Sequence, residues 1–466
     1  MTSISTKLLR GLVAGAAINL IGAAQADAQK QAPPAPGAPR NFTLPKTADF
    51  SLPNGLDVTL VPYGSVPKAW MQLVVRTGNA NEKADEVWLS DIVGDMMEEG
   101  TTTRTAQEVA GQAAGMGGSV NIGNSLDETT ISASALSEFI PRMVELVADV
   151  ARNPRFPESE LQRLRNDRIR ALAQAKAQPS TLALERFRGV MYGDHPYGRV
   201  LSTEAMINSF DAADVRNFYT ANFGADRAHL YIAGKFDRAA TEAAIRSAFS
   251  GWARGPAATA IPAKPVSARS IALVDRPGAV QSTVILGLPV LNPSHPDYPA
   301  LAVTNALLGG SFGSRITRNI RENKGYTYSP FSSVSSRYRD AYWAQQADVT
   351  TDVTGASLKE IFLEIDRLRA EPPPVDELRG IQNYLGGIFV LQNSSATGII
   401  GQLRFLNLHG LGRDYLENFV KRVHAVTPAD VTRMARTHIR PDQMTIVVVG
   451  DKSKVASQLA PYGLQM

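Results

Sequence analysis

The chain contains no cysteine, which removes disulfides, thiolate nucleophiles and Cys-type zinc sites at once. A metal would have to be held by histidines or carboxylates, and histidine is scarce too. The six histidines, His195, His229, His295, His409, His424 and His438, include no two spaced three or four residues apart. No pair therefore shares a helix face as a chelating couple would. Each reads more simply as structural: His195 marks a turn between Asp194 and Pro196, and His438 suits the carboxyl end of a helix, where the dipole favours a cation. Blocks of one charge sign are also missing. Basic and acidic residues alternate along the chain, which argues against nucleic acid as a partner.

Long apolar runs are confined to the start. Lys7 and Arg10 precede a mostly apolar run over residues 12–24, and Ala24-Gln25-Ala26 offers a small-residue cleavage site. Residues 1–26 thus read as a secretory signal, and the expected location is the periplasm. The run falls short of the roughly 20 residues a bilayer needs and no later segment is longer, so no membrane span is expected. Residues 27–43, rich in Pro, Ala and Gln, read as a flexible arm with little to offset the entropy of ordering it.

The remaining length suits two domains of about 200 residues each, and the chain repeats itself. Asp214-Val215, Asp226, a strand-like run from Ala228 and Gly234 recur as Asp430-Val431, Asp442, a run from Met444 and Gly450 at a constant offset of 216 residues. Strands are expected at 58–62, 71–77, 271–275 and 282–288, and helices at 138–152 and 357–369 where apolar residues recur every three or four positions. The fold class is α+β: two homologous αβ sandwiches, at 44–254 and 268–466. Residues 255–267, with Pro256, Pro262 and Pro265, read as a linker compatible with hinge motion. Two rigid bodies across such a linker are expected to enclose a cleft.

Gly117-Gly118-Ser119-Val120-Asn121, His195-Pro196-Tyr197-Gly198, Leu308-Gly309-Gly310 and the stretch from Arg321 to Tyr328, on a duplicated frame, resemble the pitrilysin or inverzincin metallopeptidases. The likeness spans nearly the whole chain after the leader, and it points to the small branch that works as two-chain assemblies like the mitochondrial processing peptidase. Active members carry HxxEH on a helix, where two imidazoles bind zinc and the glutamate polarises the attacking water. The matching stretch here is Asp91-Ile92-Val93-Gly94-Asp95, so Asp91, Gly94 and Asp95 stand where the family has its histidines and glutamate. The third-ligand neighbourhood, residues 168–176, holds only basic residues, Ile, Leu, Ala and Gln. A catalytic zinc wants at least three good ligands and an open position, so no metal is expected in this chain. Asp91, Asp95 and Glu98 face away from the apolar stripe of the same helix. They read as a solvated acidic face, with Mg or Ca as the oxygen-ligand alternative.

What the chain keeps is Arg321 and Tyr328, seven residues apart. The resemblance implies an arginine on a helix and a tyrosine on the following strand that reach the catalytic cleft as substrate and oxyanion donors. Read without the family, Arg321 is a surface helix residue paired with Glu322 and Tyr328 a cross-strand aromatic beside Tyr326. The glycines at 309, 310 and 313 are not followed by the Lys-Ser or Lys-Thr of a phosphate loop and read as a tight turn between helices. Gly118, Ser119, Val120 and Asn121 open a hairpin edge that matches the strand which, the resemblance implies, accepts substrate in catalytic relatives; here it reads as a covered strand, since edges are usually protected, with binding of a peptide without cleavage as the alternative.

Together these readings imply the non-zinc subunit of a heterodimeric periplasmic zinc metallopeptidase, not catalytic by itself. Its cofactor is expected in a homologous HxxEH-containing partner, and its substrates are peptides. A structural scaffold subunit and a stand-alone peptide-binding protein are the alternatives.

Overall fold

The computed structural model describes residues 42–465. The leader, and all of the arm except Phe42 and Thr43, lie outside the described residues. Phe42 meets Phe389 edge-on at 5.2 Å and Leu44 is buried, so packing begins inside what reads as arm.

The first sheet has six strands: β1 (Ala48–Ser51), β2 (Asp57–Pro62), β3 (Lys68–Val75), β4 (Ser119–Asn124), β5 (Thr129–Leu136) and β6 (Ala228–Gly234), in the order β1-β2-β6-β3-β5-β4. The second has five: β7 (Ser270–Asp275), β8 (Gln281–Pro289), β9 (Phe331–Arg337), β10 (Asp340–Thr350) and β11 (Thr445–Gly450), in the order β7-β11-β8-β10-β9. Without β1 the two orders are the same. The duplication has a local cause at each punctuating residue. Asp214 and Asp430 occupy the third position of equivalent helices, where each carboxylate accepts the cap residue's N–H, from Asp211 at 2.9 Å and from Thr427 at 3.0 Å. These capping boxes satisfy donors that helix starts leave free. The strands that follow, β6 and β11, each run parallel to the first member of the shared order and antiparallel to the third.

Five helices position the site: α1 (Leu89–Glu98), α2 (Glu158–Ala177), α3 (Pro179–Tyr192), α4 (Val375–Gln392) and α5 (Ala396–His409). α3 and α5 are exchanged between the halves. α3 packs on β8 and β11 of the second sheet, sharing a core of Phe187, Met191, Ile285 and Val447. α5 crosses to β3 and β6 of the first, sharing a core of Ile399, Leu403, Val74 and Tyr231. The reason lies in the central strands. Every residue of β11 is buried, so both its faces need cover and one half's own helices supply only one. Each large side chain so buried is worth about 1.5–3 kcal/mol.

The halves are therefore interlocked through α3 and α5, and are not two bodies joined by the linker alone. The linker is tied down as well. Arg227 donates to the carbonyls of Pro256 at 2.7 Å and Ala257 at 2.8 Å, and the Val266 N–H reaches Met191 O at 2.7 Å. Among the described residues no helix is long and apolar enough to cross a membrane.

Candidate functional site

α1 buries Leu89, Ile92, Val93, Met96 and Met97, which turns Asp91 and Asp95 toward α2. There they do not form a solvated acidic face. Arg168 of α2 grips Asp95 through two bonds of 2.7 Å, from Nε to Oδ2 and from Nη2 to Oδ1. Its Nη2 also donates to the Asp91 carbonyl at 3.1 Å, and Nη1 lies 3.5 Å from Asp91 Oδ1. Asn79 holds the other Asp91 oxygen at 2.8 Å. Burial keeps the Asp95 carboxyl above its ordinary range even against the pull of Arg168. The expectation of a solvated face fails for this pair because α2, within the stretch searched for a third acidic ligand, presents the Arg168 guanidinium to both carboxylates.

Gly94 stands where the resemblance places the water-activating glutamate, and a side chain there would have to displace Asn124. A Cβ would lie 2.3 Å from Asn124 Nδ2, which is itself held by the Ser90 carbonyl at 2.7 Å. Two carboxylates already bound to a guanidinium, with no third ligand beside them among the described residues, do not fit zinc. Among the described residues no group of three His, Cys, Asp or Glu is placed to hold a metal.

Glu98 is exposed, in keeping with the sequence reading, but it is engaged. Its carboxylate accepts the Ile122 N–H at 2.7 Å, on the outer side of the edge strand β4, and burial holds its pKa above the usual carboxylate range. By the alternation of an antiparallel pair, the polar backbone of Val120 and the Ile122 carbonyl face outward too. Ser119 and Asn121 are exposed and Val120 is half-buried. Gly118 must be glycine, since a Cβ would lie 1.6 Å from the Ser134 carbonyl. The edge is thus blocked at one point and open on either side of it.

In the second half, Arg321 sits in a π-helical turn, Arg318–Asn323, and a second π-turn spans Ala306–Gly310; such turns are frequent at functional sites. The guanidinium is held between two rings, 4.3 Å from the centre of Phe312 and 5.0 Å from that of Tyr328. The Glu322 carboxylate lies 3.4 Å from its Nε. Tyr328 is 79 % exposed and is not on a strand, in contrast to the expectation. Pro330 has no N–H to give a ladder, so β9 begins at Phe331 and only Thr327 makes an isolated bridge, to Val349. Around Arg321 and Tyr328 lies a hollow of about 350 Å³ that also takes in Ser311, Phe312, Phe331 and Tyr384. The Ser311 hydroxyl is buried with no partner among the described residues. The glycines serve close approach here: a Cβ on Gly309 would lie 2.5 Å from Gln345 Oε1 and 2.6 Å from Ser332 Oγ.

The structure brings Arg321 and Tyr328 together, and it brings Asp91, Gly94, Asp95 and Glu98 together with β4. Arg168, Phe312 and Ser311 are the participants that sequence reasoning passed over. Arg168 carried a signal, a basic residue where an acidic ligand was sought.

Residues 60–204 match the family described as Insulinase (Peptidase family M16), and residues 209–385 match Peptidase M16 inactive domain. The chain belongs to the M16 peptidase family. Among M16 relatives, an "uncharacterized zinc protease" of Rickettsia felis is 26 % identical over 361 residues, covering 76 % of this chain and 85 % of that one. A protein of the same description from Streptomyces coelicolor is 25 % identical over 419 residues, covering 88 % and 91 %. Of solved structures, an M16 inactive domain from Pseudomonas fluorescens superposes with a TM-score of 0.81 at 24 % identity, covering 87 % of this chain and 98 % of that one. A protease from Helicobacter pylori gives 0.81 at 20 %, covering 88 % and 100 %. This M16 member has the duplicated fold and, on α1, an acidic pair closed by Arg168.

Proposed function

We propose that this chain is the non-zinc subunit of an exported two-chain peptidase, whose homologous partner carries HxxEH with its zinc and water-activating glutamate. The observation that carries the reading is the opposite state of two sites. The acidic pair on α1 is closed by Arg168, while Tyr328 stands 79 % exposed beside a guanidinium in an open hollow.

Peptide hydrolysis builds negative charge on the carbonyl oxygen, and phenol and guanidinium N–H and O–H groups are the donors that stabilise it. Stacking on Phe312 and Tyr328 fixes the plane of Arg321 and leaves the edge of the guanidinium for a substrate backbone. Ser311 offers a further hydroxyl. The leader read at residues 1–26 supports a periplasmic setting, and the open backbone groups of β4 suit main-chain pairing with peptides of varied sequence.

The test mixes this chain with an HxxEH-containing homologue and follows peptide cleavage. Tyr328→Phe and Arg321→Met are each expected to lower turnover about 100–1,000-fold, with the zinc content of the partner unchanged. Unchanged turnover in both mixtures refutes the helper role. The hold of Glu98 on Ile122 favours one rival, a scaffold subunit without a proteolytic role. It predicts that the two chains assemble and that the mixture cleaves nothing.

A further inference from the structure

A separate cavity of about 150 Å³ lies where the two halves meet the linker. Arg76 and Asn81 reach it from beyond β3, Asp127 from the β4–β5 turn, Tyr338 from the β9–β10 turn, and residues 258–261 of the linker roof it. The His195-Pro196-Tyr197-Gly198 motif, which the proposed peptidase role leaves unused, supplies the remaining wall.

The cavity is built and charged on two sides. Arg76 lies over the Tyr338 ring at 4.4 Å, and among the described residues its guanidinium makes no ion pair or hydrogen bond. Asp127 is fixed from two directions, by the Tyr197 hydroxyl at 2.6 Å and the Tyr338 N–H at 3.1 Å. A carboxylate has about four lone-pair sites, so it retains capacity for another donor. His195 orients the roof: its Nδ1 accepts the Tyr197 N–H at 3.1 Å and its Nε2 pairs with the Ile261 carbonyl at 3.0 Å. Tyr338 is held by a two-residue turn in which Arg339 has φ +56. Two-residue hairpin turns use that left-handed conformation.

A guanidinium and a carboxylate thus line one small cavity, each held in place and neither neutralising the other. A ligand carrying both charges would satisfy them together, and the fixed partners lower the ordering cost of binding. We propose that this cavity binds a small apolar α-amino acid, its carboxylate on Arg76, its ammonium on Asp127 and its side chain among Ala80, Ala258 and Ile261. The roof residues 258–261 are exposed, which makes the linker the route of entry. The proposal stands whether or not the chain assists proteolysis.

The experiment follows the thermal unfolding of the full chain with L-alanine, acetate or methylamine at constant ionic strength. L-Alanine is expected to raise Tm by a few degrees at saturation, while acetate and methylamine, each meeting one charge only, give smaller shifts. L-Tryptophan, too large for the volume, gives none. Arg76→Met and Asp127→Asn should each abolish the alanine shift. Ala260→Phe, which fills the cavity from its exposed roof without changing charge, should abolish it too and serves if either charge variant fails to fold. No response to L-alanine, an equal response to acetate, or a response retained in Arg76→Met or Ala260→Phe overturns the assignment.

Discussion

Replacing Arg168 by methionine tests whether a guanidinium has taken the place of a cation. The change keeps the aliphatic stem and deletes two 2.7 Å bonds to Asp95 and the bonds to Asp91. Side-chain exposure is 23 % for Arg168 and Asp91 and 30 % for Asp95, between the surface pairs worth about 0–1 kcal/mol and the buried ones costing about 3–5 kcal/mol to break. The expected loss is about 2–3 kcal/mol, since two carboxylates are left facing each other without a counter-charge. At about 2.1 cal/mol/K of unfolding entropy per residue, that lowers Tm by about 2–3 °C. Urea unfolding at neutral pH is the assay. The triple variant, with Asp91→Asn and Asp95→Asn added, should recover most of the loss, and the non-additivity should exceed about 1 kcal/mol. An Arg168→Met protein within about 0.5 kcal/mol of wild type would refute the reasoning, because the pair would then be an incidental surface contact.

Two other substitutions test particular environments. Glu82 is 5 % exposed and takes the Ser90 N–H at 2.9 Å; burial first, with Asp91 adding, pushes its pKa from 4.5 up to about 8. The folded state therefore holds this proton more tightly than the unfolded one, so the contribution is present below pH 4.5 and lost as pH rises toward 8. Glu82→Gln should flatten that part of the stability profile, measured as urea midpoints across the range, and a slope unchanged in the variant assigns it to another group. Gly309→Ala should cost about 1–3 kcal/mol by overpacking against the buried Gln345 and Ser332. Adding Gln345→Ala should restore part of it in the same unfolding assay.

The duplication was legible because its markers are set locally. Capping residues such as Asp214 and Asp430 and an apolar central strand announce themselves within a dozen residues. The exchange of α3 and α5 was not legible, since periodicity tells which face of a helix is buried and not whose sheet it meets. The loss of the metal motif could be read from Asp91-Ile92-Val93-Gly94-Asp95, yet the partner that closes it lies on another helix and only the fold brings Arg168 there. Pro330 was a visible reason for the strand to start only after Tyr328 and was passed over in favour of the expected spacing. The stacking of Phe312 on Arg321 depends on a loop whose path the glycines permit without specifying.

The exchanged helices also set an order of events in synthesis. Val61, Val74 and Tyr231 belong to strands complete by residue 234, but the helix that covers them spans residues 396–409. Until that stretch is made, the first sheet carries a bare apolar face of the kind that aggregates or recruits chaperones. Neither half can finish folding ahead of the other, so the emerging chain stays unfinished until its last quarter arrives.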